Sequence, residues 1–162
     1  MDIGLFLLRV VVGLTLLAHG AQKLGALDQA AAGLESIGFV PGRRSAMLAG
    51  LAEAGSGVLL ILGLATPIAA AVGFGVMFVA GVSAHLKQGF FSTQGGYEYT
   101  LVLGVAALSV AFTGPGRLSA DALVGLDLGG VRWGLVALVL GLVAGGIQLA
   151  SRRRPAAAPQ KA

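Results

Sequence analysis

Long apolar runs recur along almost the whole chain, and they limit its fold more than any other feature. They cover residues 3–22, 46–65, 67–86, 97–113 and 131–150, each about the 17–25 residues that an α-helix needs to cross a bilayer. Charged residues make up 11% of the chain, against about 25% in soluble domains. A soluble domain this small leaves too much surface exposed to hide so many apolar residues. We therefore predict an all-α membrane protein, a bundle of four or five transmembrane helices.

The segments between and after these runs complete the predicted organisation. Residues 1–150 form one transmembrane helical domain, and the first run is a retained span because it lacks a basic leader and contains Arg9. Residues 24–45 are too long for a simple turn, so a short helix at the membrane interface is expected there. Residues 151–162 should be a disordered, basic, cytoplasmic tail, since they offer nothing to pack.

The basic residues between the runs predict the orientation. With five spans, one side of the membrane carries eight lysines and arginines, and the other carries two, Arg117 and Arg132. Because cytoplasmic loops are enriched in Lys and Arg, the tail should lie in the cytoplasm and the N-terminus outside. The membrane would be the bacterial plasma (inner) membrane.

Composition also excludes several functions. The chain has no cysteine, which rules out a disulfide framework and a dithiol relay through its own side chains. Its net charge is +4, but the basic residues are not interleaved with aromatic ones, so no nucleic-acid binding is predicted. The histidines and carboxylates have no ligand spacing within a helix, and no metal site is predicted.

Polar side chains within the spans collect at one membrane face, because neighbouring spans run in opposite directions. Charged groups inside a bilayer are costly and mark functional sites. The candidate catalytic residues are His19, Lys23, Glu53, His85 and Glu98, and the candidate binding residues are Gln22, Lys87 and Tyr97. The alternative is structural: histidines bonded to headgroup water, lysines as anchors and tyrosines in an interfacial belt.

Arg9 and Glu53 are predicted to form a buried ion pair. They lie on neighbouring antiparallel spans and differ in depth by roughly 9 Å, which an extended guanidinium largely covers. Unpaired, either charge would cost several kcal/mol in hydrocarbon. The pair could also serve only to fix helix packing. The sequence also contains a weak internal repeat. His19 and His85 each lie at the end of a span, and Glu53 and Glu98 each lie near the start of the following span, which suggests two related helix pairs.

Several short motifs resemble the DoxX family of small bacterial membrane proteins. They are Leu8-Arg9, residues 18–23 (AHGAQK), the glycine-rich segment around Glu53, residues 62–67 (LGLATP), Ala84-His85, residues 89–91 (GFF), residues 95–99 (GGYEY) and residues 114–119 (GPGRLS). The resemblance covers residues 5–124. It implies a four-helix transmembrane bundle, to which the span at residues 131–150 adds a fifth, C-terminal transmembrane helix. It also implies a link to redox chemistry, since the family name derives from a subunit of a thiosulfate:quinone oxidoreductase. Similar proteins are described as membrane partners of thiol and oxygen-radical detoxifying enzymes.

From the polar face and this resemblance we predict the membrane subunit of a quinone- or thiol/sulfur-linked redox system. Histidines and lysines would bind a quinone or small sulfur anion, and Glu53 or Glu98 would handle protons. Its cofactor is not determined by the sequence, although quinone is a candidate. The expected partners are the lipid bilayer, soluble redox enzymes on the cytoplasmic side and, as an open question, further copies of the chain. The alternatives are a non-catalytic scaffold that docks soluble oxidoreductases and a small-solute transporter.

Overall fold

Helices account for every regular element of residues 2–153, the part of the chain that the computed structural model describes. The helices are α1 (Asp2–Gly25), α2 (Leu27–Ser36), α3 (Gly42–Leu62), α4 (Thr66–Ala80), α5 (Glu98–Thr113), α6 (Ala120–Leu123) and α7 (Val131–Ala150). α4 continues through a π-helical turn, Gly81–His85, and a 3-10 turn, Leu86–Gln88; a second 3-10 turn is Ser92–Gln94. The predicted all-α bundle is confirmed. Most of the predicted tail, residues 154–162, lies outside the described residues.

Four helical segments are long and apolar enough to cross a bilayer: Ile3–Gly25, Gly42–Leu62, Thr66–Gln88 and Val131–Ala150. The fifth helix of the prediction is thus present as α7. The fourth predicted span is the short one, because α5 has 16 residues and a length of about 24 Å, less than the roughly 30 Å of a bilayer's hydrocarbon core. The chain is a multi-pass membrane protein.

Alternation of the helices defines two ends of the bundle. α1, α4 and α7 end, and α3 and α5 begin, at one membrane face, which we name the Lys23 face. The opposite end, where α3 and α5 end, is named the Asp121 face. The short helix expected between residues 24 and 45 is present as α2, which packs against α3 at the Lys23 face.

Glycines set the register between α1 and α3. A Cβ added to Gly13 would lie 2.7 Å from the carbonyl oxygen of Gly57, and one added to Gly20 would lie 2.6 Å from that of Gly50. Neither position has room for a side chain, so the two backbones approach closely, as small residues allow in membranes. Residues of α1 and α3 that face each other therefore have numbers that add to about 70.

α7 extends the bundle by packing on α4 and α5. Its buried residues are small and follow a helical spacing: Gly134, Ala137, Gly141 and Gly145. Because most other residues of α7 are apolar and exposed, this helix presents one narrow face to the protein and most of its remaining surface to lipid.

The chain re-enters the bundle after α5, which explains why that helix is short. Gly114, in a left-handed conformation with φ of +86°, ends the helix, and both Gly114 and Pro115 are buried. The carbonyl groups of Pro115 and Leu118 accept hydrogen bonds from Arg9 Nη1 (2.9 Å) and Nη2 (2.6 Å). Irregular backbone is tolerated at membrane depth only where protein satisfies it, and here Arg9 does so.

Candidate functional site

Lys23 and Glu53 form a charged pair between α1 and α3. Lys23 Nζ donates to both carboxylate oxygens of Glu53, at 2.8 and 2.6 Å. Glu53 is 2% exposed and Lys23 is 31% exposed, so the pair extends from the core toward the Lys23 face. A buried carboxylate needs such a partner, since an isolated charge there would cost several kcal/mol.

The predicted Arg9–Glu53 ion pair is wrong, and the register of α1 on α3 explains why. Glu53 is level with Leu17, which is six residues from Lys23 and eight from Arg9, or about 9 and 12 Å along the helix. Helical side chains lean toward the N-terminus of their own helix. Lys23 and Glu53 therefore lean toward each other, whereas Arg9 leans away from Glu53 and reaches the carbonyl groups after α5.

His19 lies one helical turn before Lys23 on the same side of α1, and it contacts α5. Its Nε2 is 2.8 Å from the hydroxyl oxygen of Tyr99, and the two rings meet edge to face with centroids 5.6 Å apart. His19 is half-buried and Tyr99 is exposed. Sequence analysis gave Tyr99 no role beyond an interfacial belt. The position of Tyr99 near the start of α5, two residues after Tyr97, was the signal in the sequence that could have revealed this contact.

The two pairs together form what we name the polar cluster: His19, Lys23, Glu53 and Tyr99. It joins three helices, because His19 and Lys23 belong to α1, Glu53 to α3 and Tyr99 to α5. The predicted convergence of these helix ends at one face thus brings His19, Lys23 and Glu53 into one half-buried constellation.

His85 lies in a different local setting, at the end of the π-helical turn that closes α4. Its Nδ1 is 2.7 Å from the carbonyl oxygen of Gly95. A carbonyl oxygen only accepts, so Nδ1 carries a proton, and in the neutral ring Nε2 keeps a lone pair. π-helical turns occur often at functional sites because they redirect side chains. His85 is half-buried.

The other predicted residues of the Lys23 face either stabilise the loop before α5 or are exposed. Glu98 accepts from the backbone amide and the hydroxyl of Ser92, both at 3.0 Å, and so orders the turn before α5. Tyr97 packs its ring edge to face against Phe90, with centroids 5.5 Å apart. Gln22 and Lys87 are exposed. None of these four residues hydrogen bonds to the polar cluster through its side chain, within residues 2–153.

Asp121 is a buried charge that sequence analysis missed. It is 0% exposed and accepts from the amide groups of Ala65 (2.8 Å) and Thr66 (2.9 Å) and from the Thr66 hydroxyl (2.7 Å). α4 has no side-chain cap from its own flanking residues, and Asp121 supplies that cap from a distant loop. The signal in the sequence was a helix start at Thr66-Pro67 with no local cap. With Arg9, Asp121 fastens the segment after α5 to the Asp121 face.

The polar cluster combines a histidine, a tyrosine and a carboxylate, side chains that serve as proton donors and acceptors in enzymes, with a lysine. Tyr99 and His19 share one hydrogen bond, and Lys23, one turn further along α1, binds Glu53 of α3. Within residues 2–153, no three His, Asp or Glu side chains lie together as metal ligands would. The sequence suggested that Glu53 and Glu98 occupy equivalent positions in two related helix pairs. They lie at different depths in the bundle, because Glu53 is in the middle of α3 and Glu98 begins α5.

The bundle defines a multi-pass α-helical membrane protein with a half-buried polar cluster at one end. The family model named DoxX matches residues 4–86. Because that is about half of the chain, α1 through the π-helical turn, the protein belongs to the DoxX family. No curated protein and no solved structure matches the chain.

Proposed function

We propose that this DoxX-family protein is the membrane subunit of a quinone-linked redox system and that the polar cluster binds the quinone ring. The observation that supports this proposal is the stacking of two hydrogen-bonded pairs, His19–Tyr99 and Lys23–Glu53, one helical turn apart at the Lys23 face. Reduction of a quinone takes up two protons, and a histidine–tyrosine pair at the membrane surface is suited to deliver them.

The geometry of Lys23 favours a neutral ligand over a small sulfur anion. Its ammonium group already contacts both oxygens of Glu53, at 2.8 and 2.6 Å. The buried carboxylate cancels the positive charge that would attract thiosulfate, and an anion entering there would meet Glu53. A quinone carries no charge, and its carbonyl oxygens accept hydrogen bonds from the Tyr99 hydroxyl or from His19.

The electrons must come from a partner, since the chain has no cysteine and its own side chains carry no electrons. In this proposal a soluble oxidoreductase docks at the Lys23 face, which the eight-to-two distribution of basic residues predicts to be cytoplasmic. The protein then lies in the bacterial plasma membrane with its N-terminus outside. Its part is to hold the quinone ring and pass protons to it.

Photolabelling in proteoliposomes tests the proposal. An azidoquinone probe should label peptides that contain residues 19–23 or 97–100, and excess ubiquinone should compete. Tyr99→Phe removes one hydrogen bond and should lower labelling about fivefold, which corresponds to about 1 kcal/mol. Tyr97→Phe is the matched control, because the hydroxyl of Tyr97 makes no hydrogen bond to another of residues 2–153.

Labelling that ubiquinone does not displace would contradict the proposal. So would equal labelling of wild type, Tyr99→Phe and His19→Leu, provided the variants unfold at the wild-type temperature. Thiosulfate binding by the same proteoliposomes, abolished by Lys23→Met, would replace quinone with the sulfur anion as ligand.

A scaffold that docks soluble enzymes is the second candidate, favoured by the ordered surface of the Lys23 face. There the loop between α2 and α3 is fixed to the end of α7, since the amide of Arg153 donates to the carbonyl of Gly38 at 2.8 Å. If docking alone is the function, a partner recovered with the wild type stays bound in Tyr99→Phe. It is then lost when Arg43 and Arg44, both exposed, are replaced together by glutamine.

A further inference from the structure

An apolar groove runs along the outside of the bundle, and the side chains of the polar cluster do not line it. Its volume is about 370 Å³, and α3, α4 and α7 form its walls with side chains such as Ala52, Val72 and Ala144. Leu48 and Leu140 also line it and are 52% and 50% exposed. The groove is therefore open along the surface that faces lipid.

One end of the groove lies at the Lys23 face and is polar. Phe39 closes that end, together with Gln148 of α7. The guanidinium of Arg152 lies over the Phe39 ring, 5.5 Å from its centroid. Arg152 follows the end of α7 by two residues and lies four residues after Gln148.

Arg152 is held in place but is not saturated. Its Nε donates to the carbonyl oxygen of Ile37 at 2.9 Å, which fixes the guanidinium against the loop between α2 and α3. Its two Nη atoms have no acceptor in the part of the chain that the structure describes, residues 2–153. Arg152 is half-buried, and no carboxylate of those residues pairs with it. An anion at the groove's mouth would complete its hydrogen bonding.

The length of the groove matches one leaflet of a bilayer. On α4 it extends from Ile68 to Val79 and on α7 from Leu140 to Gln148, or about 17 and 12 Å. Half of a bilayer's hydrocarbon core is about 15 Å. A transmembrane helix would continue across the whole bilayer, whereas an acyl chain occupies one leaflet and begins at a headgroup.

We propose that this groove binds an acyl chain of an anionic phospholipid and that Arg152 binds the phosphate of the same lipid. Arginine suits phosphate because its planar guanidinium offers several donors at once. Basic pockets between transmembrane helices at the headgroup level are recognised lipid sites. This site does not depend on the proposed quinone function.

Native mass spectrometry of the full chain tests the site. Protein in detergent is equilibrated with equal amounts of dioleoylphosphatidylglycerol and dioleoylphosphatidylcholine, and the lipids retained after release from the micelle are counted. The wild type should retain the anionic lipid in preference. Arg152→Gln should lower that preference about tenfold, because it removes both a positive charge and direct phosphate contacts.

Two matched controls separate the groove from general effects. Arg153→Gln removes the same charge from the exposed neighbour and should lower the preference by fivefold at most. Ala144→Phe fills the groove and should reduce retention of both lipids, whereas Val143→Phe, on an exposed side of α7 that does not line the groove, should leave retention unchanged.

The proposal fails if Ala144→Phe retains lipid as the wild type does, or if Arg152→Gln and Arg153→Gln have equal effects. It also fails if added ubiquinone displaces the phospholipid from the groove, which would make quinone the occupant. A dimer in the same spectra that Ala144→Phe abolishes would show a second copy there instead.

Discussion

Replacing Arg9 tests the most specific structural conclusion, that this arginine stabilises the re-entrant segment after α5. Arg9 is 1% exposed, and it donates to the carbonyl groups of Pro115 and Leu118 at 2.9 and 2.6 Å. Arg9→Met keeps the aliphatic stem and removes both donors. We expect a clear loss of stability, because one buried acceptor and one partly buried acceptor then lose their donors.

The magnitude follows from those two acceptors. The buried carbonyl of Pro115, left unsatisfied, costs about 1–3 kcal/mol, and loss of the bond to the partly buried carbonyl of Leu118 costs about 0.5–1.5 kcal/mol. Arg9→Met should therefore lower the free energy of unfolding by about 1.5–4.5 kcal/mol. The lower part of that range is expected, since Arg9 Nε has no acceptor within residues 2–153 and removing the guanidinium relieves its desolvation. Arg9→Lys, with one compact donor group in place of a fork, should recover about half of the loss.

Denaturation in mixed micelles by increasing dodecyl sulfate measures this loss. Far-UV circular dichroism reports helix content, and the fluorescence of Trp133, the one tryptophan of the chain, reports the start of α7. Arg43→Met is the control, because it removes an exposed arginine whose ion pair with Asp28 is at the surface. Such pairs contribute about 0–1 kcal/mol.

Two outcomes would refute the reasoning. One is an Arg9→Met variant as stable as Arg43→Met. The other comes from a double-mutant cycle with Glu53→Gln. Because Arg9 and Glu53 do not pair, their effects should add within about 0.5 kcal/mol. A coupling above about 1 kcal/mol would restore the ion pair that the sequence suggested.

Three further changes test other parts of the fold by the same denaturation. Asp121→Ala should cost about 2 kcal/mol, the upper end for loss of a helix cap, and Asp121→Asn less, because an amide oxygen still accepts. Lys23→Met should lower the free energy of unfolding by up to about 3 kcal/mol, which is the low end of the range for breaking a buried ion pair, because Lys23 is partly exposed. The double variant Lys23→Met, Glu53→Gln should recover most of that loss, because no charge is then left unpaired. Gly141→Leu should cost about 1–3 kcal/mol by overpacking against α4, while Gly146→Leu, which has open space around it, should be neutral.

The helices could be predicted from sequence because each long apolar run allows one structure in lipid. Hydrocarbon leaves a backbone amide no partner except its own helix, so span positions follow from run length. The short α5 is the exception. Its run looked long enough to cross, but Gly114 and Pro115 turn the chain back into the bundle, and that depends on the distant Arg9.

Which side chains pair with each other at the Lys23 face was harder to predict than which side chains lie there. Depth along the bundle follows from residue counting, which brought His19, Lys23 and Glu53 to one end. Pairing also requires the register of the helices, and that is set by where glycines allow close approach. The seven-residue spacing of Gly13 and Gly20 on α1, and of Gly50 and Gly57 on α3, contained this information. It favours Lys23 over Arg9 as partner of Glu53.

Polar side chains at the Asp121 face and at the Lys23 face differ in how fully the protein hydrogen bonds them, and this difference indicates where a ligand would bind. At the Asp121 face, Asp121 is 0% exposed and accepts three hydrogen bonds from the protein, so a ligand would have to replace protein contacts. At the Lys23 face, His19, Tyr99 and His85 each make one side-chain hydrogen bond and remain at least partly exposed. A ligand there displaces water, which costs far less. Changes at Asp121 should therefore alter stability with little effect on quinone labelling, and Tyr99→Phe should do the reverse.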